Sequence, residues 1–278
     1  MSSWTPEIIS YMADASRTSN YFARLSEIAL RDLPAGSRVC DAGCGMGQLS
    51  LEMARAGMQV DAFDCSPQAI AYLTNSLGEA SLSPGRVRPS LTDFTRTPLE
   101  PGRFDRMVFS LSAAAVDAFD CGRKHGARSL VVINKMHPAP AQGDEDRPIV
   151  YNLEKAVGHL CSLGLRTSAT DVTLSLDQPF SSIESARRFF SLFRTRAYPH
   201  GITDTQLRSE LTATENPEFP YVLPVKRHLA VFRITMPQDL PTHQSHQAEA
   251  VLNAFFSLQG GANRTTAGRR RGAIKETP

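Results

Sequence analysis

A chain of 278 residues, 41% hydrophobic and 21% charged, carries enough apolar material for a sizeable core. Lys and Arg number 30 against 28 Asp and Glu, and the small excess gathers near the C-terminus in Arg264, Arg269, Arg270, Arg271 and Lys275. That balance argues against nucleic acid as the main partner, and the basic end reads as a solvated, disordered tail. Five cysteines (Cys40, Cys44, Cys65, Cys121, Cys161) form no C-x-x-C pair and have no histidine cluster beside them, so reduced thiols are expected, with no disulfide framework and no metal site. The first residues lack the basic start and apolar stretch of a signal peptide, and no run nears the ~18 apolar residues of a membrane span. A soluble, cytoplasmic protein with no membrane partner is the expectation.

Residues 5–31 read as helical, with Thr5 able to cap, Pro6 suited to the first helical position, and a second stretch from Tyr21 to Ala29. After the breaker Leu33-Pro34-Ala35-Gly36 the period changes. Arg38-Val39-Cys40-Asp41-Ala42 is a short buried strand running into glycines, and Leu49 to Gly57 is a helix with its stop. Gln59–Asp64 repeats the strand, and Ser66-Pro67 caps the helix that follows. Arg86–Ser90, Phe104–Leu111 and Ser129–Asn134 are the third, fourth and fifth strands, with a helix through 113–125 before the fifth. Strands and helices alternating at this spacing predict βαβ units and a mostly parallel, doubly wound α/β sheet.

Residues 137–150 read as a loop, followed by a helix over 151–163 and a strand around 166–176. Ser181 with Glu184 and Thr203 with Gln206 suggest capping boxes for two further helices. The last clear strand is Lys226–Met236. Residues 237–247 look linker-like, Val251–Leu258 suits a short helix, and everything beyond Gly260 suits a disordered end.

The stretch that carries chemistry is Asp41-Ala42-Gly43-Cys44-Gly45-Met46-Gly47. Glycines at alternate positions let the backbone turn off a strand end and approach a ligand, and the helix beginning near Gln48 aims its positive end there. A dinucleotide fingerprint needs G-x-G-x-x-G, yet the third glycine would fall on Gln48 or Ser50. No Gly-Lys-Ser/Thr follows for a P-loop. Asp64 closes the next strand, where a carboxylate can accept hydrogen bonds from a ribose diol.

The pattern D-x-G-x-G-x-G resembles the first motif of class I S-adenosylmethionine-dependent methyltransferases. The likeness continues in Asp64 of Phe63-Asp64-Cys65-Ser66, in Asp93 of Thr92-Asp93-Phe94, and in Phe104-Asp105-Arg106-Met107-Val108. The four signals stand in the family's order over residues 37–111. The resemblance implies a Rossmann-like methyltransferase fold: a seven-stranded sheet with N-terminal helices and a helical insertion before the last strand. It implies S-adenosyl-L-methionine as methyl donor. Asp41, Ala42, Gly43, Gly45 and Gly47 would then line its methionine and ribose side, Asp64 the ribose hydroxyls, Cys65, Asp93 and Phe94 the adenine, and Ser110 the methionine end.

Methyl transfer from a sulfonium needs alignment and exclusion of water more than acid–base help. No Asn-Pro-Pro-Tyr or Asp-Pro-Pro-Tyr follows the fourth strand; Ser110-Leu111-Ser112-Ala113 stands there, which argues against a nucleobase acceptor. His137, after the fifth strand, is the one weak candidate for a general base and reads better as an exposed loop residue. His200 reads as a turn residue. In the resembling family, residues equivalent to 5–31 and 178–220 form a cap and a lid over the acceptor, which makes Tyr11 and Tyr21 candidate wall residues. Phe189, Phe190 and Phe193 suit core packing. Arg187, Arg188, Arg194 and Arg196 suit either an anionic acceptor or a solvated helix face. The resulting organisation is a methyltransferase domain over 1–236 and a linker, short helix and tail over 237–278. Its expected activity is transfer of a methyl group to O, N or C of a small molecule. A protein or RNA acceptor, and a non-catalytic sensor, partner subunit or scaffold for another reaction, are the alternatives, and a homo-oligomer is left open.

Overall fold

The computed structural model describes residues 4–80, 82, 86–94, 104–112, 118–136, 153–194 and 197–259. Two helices open the chain, α1 (Pro6–Arg17) and α2 (Tyr21–Leu30). The Thr5 hydroxyl accepts from the Ile8 N–H, satisfying one of the unpaired donors that every helix start exposes. Then follow β1 (Arg38–Ala42), α3 (Gln48–Arg55), β2 (Gln59–Asp64), α4 (Pro67–Glu79), β3 (Val87–Leu91), β4 (Arg106–Ser110), α5 (Ala118–Lys124), β5 (Ser129–Lys135), α6 (Leu153–Ser162) and β6 (Arg166–Ser175). An insertion of β7 (Gln178–Phe180), α7 (Ile183–Phe193), α8 (Asp204–Glu210), β8 (Thr212–Ala213) and β9 (Tyr221–Leu223) precedes β10 (Lys226–Thr235) and α9 (Thr242–Gln259).

Seven strands form one sheet in the order β3-β2-β1-β4-β5-β10-β6, with β10 antiparallel between β5 and β6. The chain winds outward from β1 to β3, then returns to place β4 on the other side of β1, so the switch point lies between β1 and β4. The carboxyl ends of strands diverge there, which makes it the natural ligand crevice of such a sheet. One face is covered by α2, α3 and α4 through residues such as Leu25, Met53 and Leu73, the other by α5, α6 and α9 through Phe119, Leu160 and Phe255. The central strands are apolar on both sides, as a sheet covered on two faces requires.

A buried arginine fixes how the N-terminal helices dock. The Arg106 guanidinium donates to the carbonyls of Ala29 (2.8 Å) and Arg31 (2.9 Å) and to Ser129 Oγ (3.1 Å). It thereby satisfies carbonyls left open at the end of α2 and ties that helix to the base of β4 and β5. Burial lowers its pKa, and three acceptors compensate.

Three features depart from the sequence reading. The insertion holds a second sheet, β7-β9-β8, whose strands of two or three residues are too short to give an alternating pattern. It shares a small core with α1, α7 and α8, built on Tyr11, Phe180, Phe190, Leu207 and Leu223. The cap of α7 is Ser182, which accepts from the Ser185 N–H, and not Ser181; Thr203 and Gln206 do form a reciprocal capping box. Finally, residues 242–259 are no linker with a short helix but one helix of 18 residues. Its first turns are polar, which hid it, whereas Ala248, Leu252 and Phe255 are fully buried against the sheet.

Phe255 sets its ring edge-on to Phe232 of β10 at 5.2 Å. Phe255→Ala should therefore lower unfolding free energy by about 3–5 kcal/mol, the usual loss for a buried aromatic. Urea unfolding of the two proteins measures it. A loss below about 1 kcal/mol would mean that α9 is an appendage and not part of this core.

Candidate functional site

The turn after β1 is built by hydrogen bonds to the end of β2. The N–H groups of Gly43 and Cys44 both donate to the Phe63 carbonyl, at 2.8 and 2.9 Å. The Gly45 N–H donates to Asp64 Oδ2 at 2.8 Å, and Asp64 Oδ1 accepts from the Ser66 N–H at 2.8 Å. One carboxylate thus holds the glycine turn with one oxygen and the start of α4 with the other. A carboxylate has about four lone-pair sites, so two remain for a ligand diol.

The glycines serve different needs. Gly45 has φ +52°, and a Cβ there would come within 2.7 Å of the Trp4 ring, so the indole lies directly on the turn. Gly47 caps α3 in the left-handed region at φ +77°, and its missing Cβ makes room for Leu73 of α4, whose Cδ1 would be 2.3 Å away. Helix packing thus also requires a glycine at position 47. No side chain caps α3, so its first N–H groups stay available to an anion, as a methionine carboxylate would require.

Asp41 is almost wholly buried and accepts from Ser50 Oγ at 2.5 Å. Burial pushes its pKa up to about 6; the Ser50 hydrogen bond opposes the rise and the charge of Asp64 adds to it. Ala42 beside it is fully buried. Cys44 is half-buried beside the same negative charges, and its thiol pKa is raised far above the usual range by burial first and then by Asp41 and Asp64.

The loop after β3 is drawn to the same edge, since the Thr92 N–H donates to the Asp64 carbonyl at 2.9 Å. Asp93 follows, exposed, and Phe94 stands edge-on to Phe109 of β4 at 5.9 Å. Cys65 is exposed beside Asp64, and Ser110 is half-buried at the end of β4. All ten residues named from the sequence as cofactor contacts therefore sit along one carboxyl edge of the sheet. His137 lies outside the described residues. His200 is exposed in a turn.

Several features of this edge were not legible beforehand. Leu111 adopts φ +53° immediately after β4, and its N–H is held by the Ile133 carbonyl of β5 at 2.9 Å. Such strain on a leucine needs support from its surroundings and is common beside functional sites. Ser112 follows and closes on the turn, its Cβ 2.5 Å from where a Gly43 Cβ would stand. Tyr11 and Tyr21 are both buried, and Tyr11 donates to the Ser185 carbonyl at 2.9 Å and packs on Phe180 and Phe189. Its role is to fasten α1 to the insertion. Arg187 pairs with Glu184 and Asp204, and Arg188 pairs with Glu7, so these two arginines stitch the cap on its outer surface. Arg196 is outside the described residues.

Among the described residues no group of three or more His, Cys, Asp or Glu could hold a metal ion. None of the described helices is long and apolar enough to cross a membrane.

A family model described as "Methyltransferase domain" matches residues 39–125, which run from β1 to the end of α5 and so include all ten residues named as cofactor contacts. Over that stretch the chain is similar to the class I S-adenosylmethionine-dependent methyltransferases. It is similar to a ubiquinone biosynthesis O-methyltransferase of Xanthomonas axonopodis pv. citri, 51% identical over 47 residues, 17% of this chain and 20% of that one. It is also similar to two proteins named S-adenosyl-L-methionine-dependent Diels-Alderases. One, from Talaromyces variabilis, is 31% identical over 124 residues, 42% of each chain. The other, from Neonectria sp., is 36% identical over 62 residues, 22% of this chain and 25% of that one. The matched stretches span less than half the length of each of these relatives. The family's cofactor is S-adenosylmethionine, and the acid-lined turn with its uncapped helix suits that molecule.

Trp4 is the single tryptophan of the chain. Because it rests on Gly45, its emission should shift in wavelength or intensity when S-adenosylhomocysteine is titrated in, with saturation matching calorimetry. Spectra that stay superimposable through a titration in which calorimetry records binding would show that Trp4 does not border the cofactor.

Proposed function

We propose that this chain transfers a methyl group from S-adenosylmethionine to an O, N or C atom of a small-molecule acceptor. The observation that carries the reading is Asp64, which holds the glycine turn at the switch point while keeping acceptor capacity for a ribose. The cofactor supplies an electrophilic methyl group on a sulfonium. The chain's part is to hold the nucleoside by Asp64 and the loop of Asp93, to offer Asp41 to the ammonium of the methionine portion, and to offer the start of α3 to its carboxylate. Transfer then requires the acceptor atom in line with the carbon–sulfur bond at near-attack distance. The α1 helix supports exclusion of water. Its start touches the turn through Trp4, its middle is fastened to α7 by Tyr11, and its last residue pairs with Glu218 of the insertion.

Asp64→Ala tests the reading directly. Affinity for S-adenosylmethionine should fall by roughly 1.5–3 kcal/mol, as for hydrogen bonds to a charged group, and wild type incubated with a metabolite extract should release S-adenosylhomocysteine. An unchanged dissociation constant in the variant would remove Asp64 from the cofactor site.

Asp41 adds a pH signature. Its folded pKa of about 6 lies above the ordinary carboxyl value, so below that pH the group is largely protonated. An ammonium placed beside it favours the carboxylate, and binding therefore expels a proton. Affinity should rise between about pH 5 and 7, by up to roughly tenfold per unit on the acid side, and level off above. Asp41→Asn should flatten that profile. A flat profile in wild type would separate Asp41 from the ammonium.

A second reading draws on the two relatives named as Diels-Alderases: S-adenosylmethionine bound as a charged fixture beside a cyclisation it does not enter. It predicts turnover of an acceptor with no S-adenosylhomocysteine formed, which the same incubation distinguishes.

A further inference from the structure

Building on the methyltransferase reading, we infer that the acceptor carries an oxyanion, a carboxylate or a phosphate, held by Lys135, Arg227 and Arg194 at the far end of the crevice. Lys135 is the last residue of β5, at the carboxyl edge. Its neighbour on β10 is Leu229, and Arg227 stands two residues further along β10 on the same face of the sheet. Arg194 follows the last residue of α7, and its charge helps to lower the Lys135 pKa.

The cluster contrasts with several of the chain's other arginines. Arg17, Arg55, Arg88, Arg128 and Arg188 all pair with carboxylates, most of them at the surface. Lys135, Arg227 and Arg194 have no carboxylate partner among the described residues. Crowding by protein lowers the Lys135 pKa first, and Arg227 and Arg194 lower it further, although the side chain stays open to solvent. Like charges gathered at one spot cost stability unless a counter-charge joins them.

A second, independent observation points to the same place. Two buried donors there have no hydrogen-bond partner: Arg227 Nε, and the hydroxyl of Tyr21, a residue only 1% exposed. The Arg227 guanidinium carbon lies 6.0 Å from the centre of the Tyr21 ring. Buried donors are nearly always satisfied in native structures, and two left open beside three cations without carboxylate partners suit an acceptor-only, negatively charged group.

The geometry connects the cluster to the reacting end. Ser112 closes on Gly43, the Leu111 N–H binds the Ile133 carbonyl, and Lys135 lies two residues beyond on the same strand. With strands about 4.8 Å apart, the cations stand roughly 10–15 Å across the edge from β1. That span suits a small acid whose nucleophilic atom reaches the switch point while its anionic group rests on β5 and β10.

The test uses full-length protein saturated with S-adenosylhomocysteine, with saturation itself measured first. Salicylate, its neutral amide salicylamide, and phenyl phosphate are titrated by calorimetry up to their solubility limits. Salicylate or phenyl phosphate should bind at least roughly tenfold more tightly than the amide, the preference between them naming the source of the oxyanion. Lys135→Gln, at an exposed position, and Arg194→Gln, at the end of α7, should each reduce that preference severalfold while leaving S-adenosylhomocysteine affinity unchanged. Arg227→Gln should abolish it, and the two milder variants keep the test decisive if that protein fails to fold. Equal binding of acid and amide, binding of none of the three, or a preference that survives all the variants would overturn the inference. Failure to bind S-adenosylhomocysteine would instead overturn the methyltransferase reading.

Discussion

The turn between β1 and α3 has no intrinsic reason to keep its shape, and the carboxylate of Asp64 supplies one. With the Phe63 carbonyl it takes up three N–H groups of residues 43–45, while its other oxygen fixes the entry to α4. Strand β2 thereby becomes the mould on which the turn is cast. The sheet register places Ala42 opposite Phe63, so the mould and the cast are aligned by the same ladder that forms the core. Everything proposed for the crevice depends on this arrangement, because a looser turn would scatter the donors and acids that a nucleoside needs in fixed positions.

Charge is distributed along the edge in a graded way. Asp41 and Asp64 make the β1–β2 end negative, deep enough in the protein for their fields to reach Cys44. Lys135, Arg227 and Arg194 make the β5–β10 end positive. A sulfonium and an ammonium belong at the first end and an oxyanion at the second, so donor and acceptor would enter a field that already orients them.

What could be read from the amino-acid order was mostly local. Asp41 to Gly47 and Asp64 declare themselves because strand, turn and helix are contiguous and the residue types are demanded by backbone geometry. The alternation of strands and helices carried the mostly parallel sheet, whereas the antiparallel run of β10 between β5 and β6 appears only in the structure. The three-dimensional reasons were hidden. Gly47 answers to Leu73, 26 positions later in the chain, and Gly45 to Trp4, 41 positions earlier. The meeting of Lys135 with Arg227 exists only through the β5–β10 register, and the pairs Arg187–Asp204 and Arg188–Glu7 only through the docking of α8 and α1 on α7. Helix α9 was concealed by polar first turns, since apolar spacing appears only from Ala248 onward.

The α1 helix is about 18 Å long; the residue before its cap, Trp4, rests on the glycine turn, while Tyr11 and Arg17 hold the helix to the insertion. A stiff rod anchored at two points cannot release one without stressing the other. If the crevice holds the nucleoside as proposed, lifting the indole to exchange it would also load the contacts between α1 and the insertion, and exchange of the two molecules would be coupled through one helix.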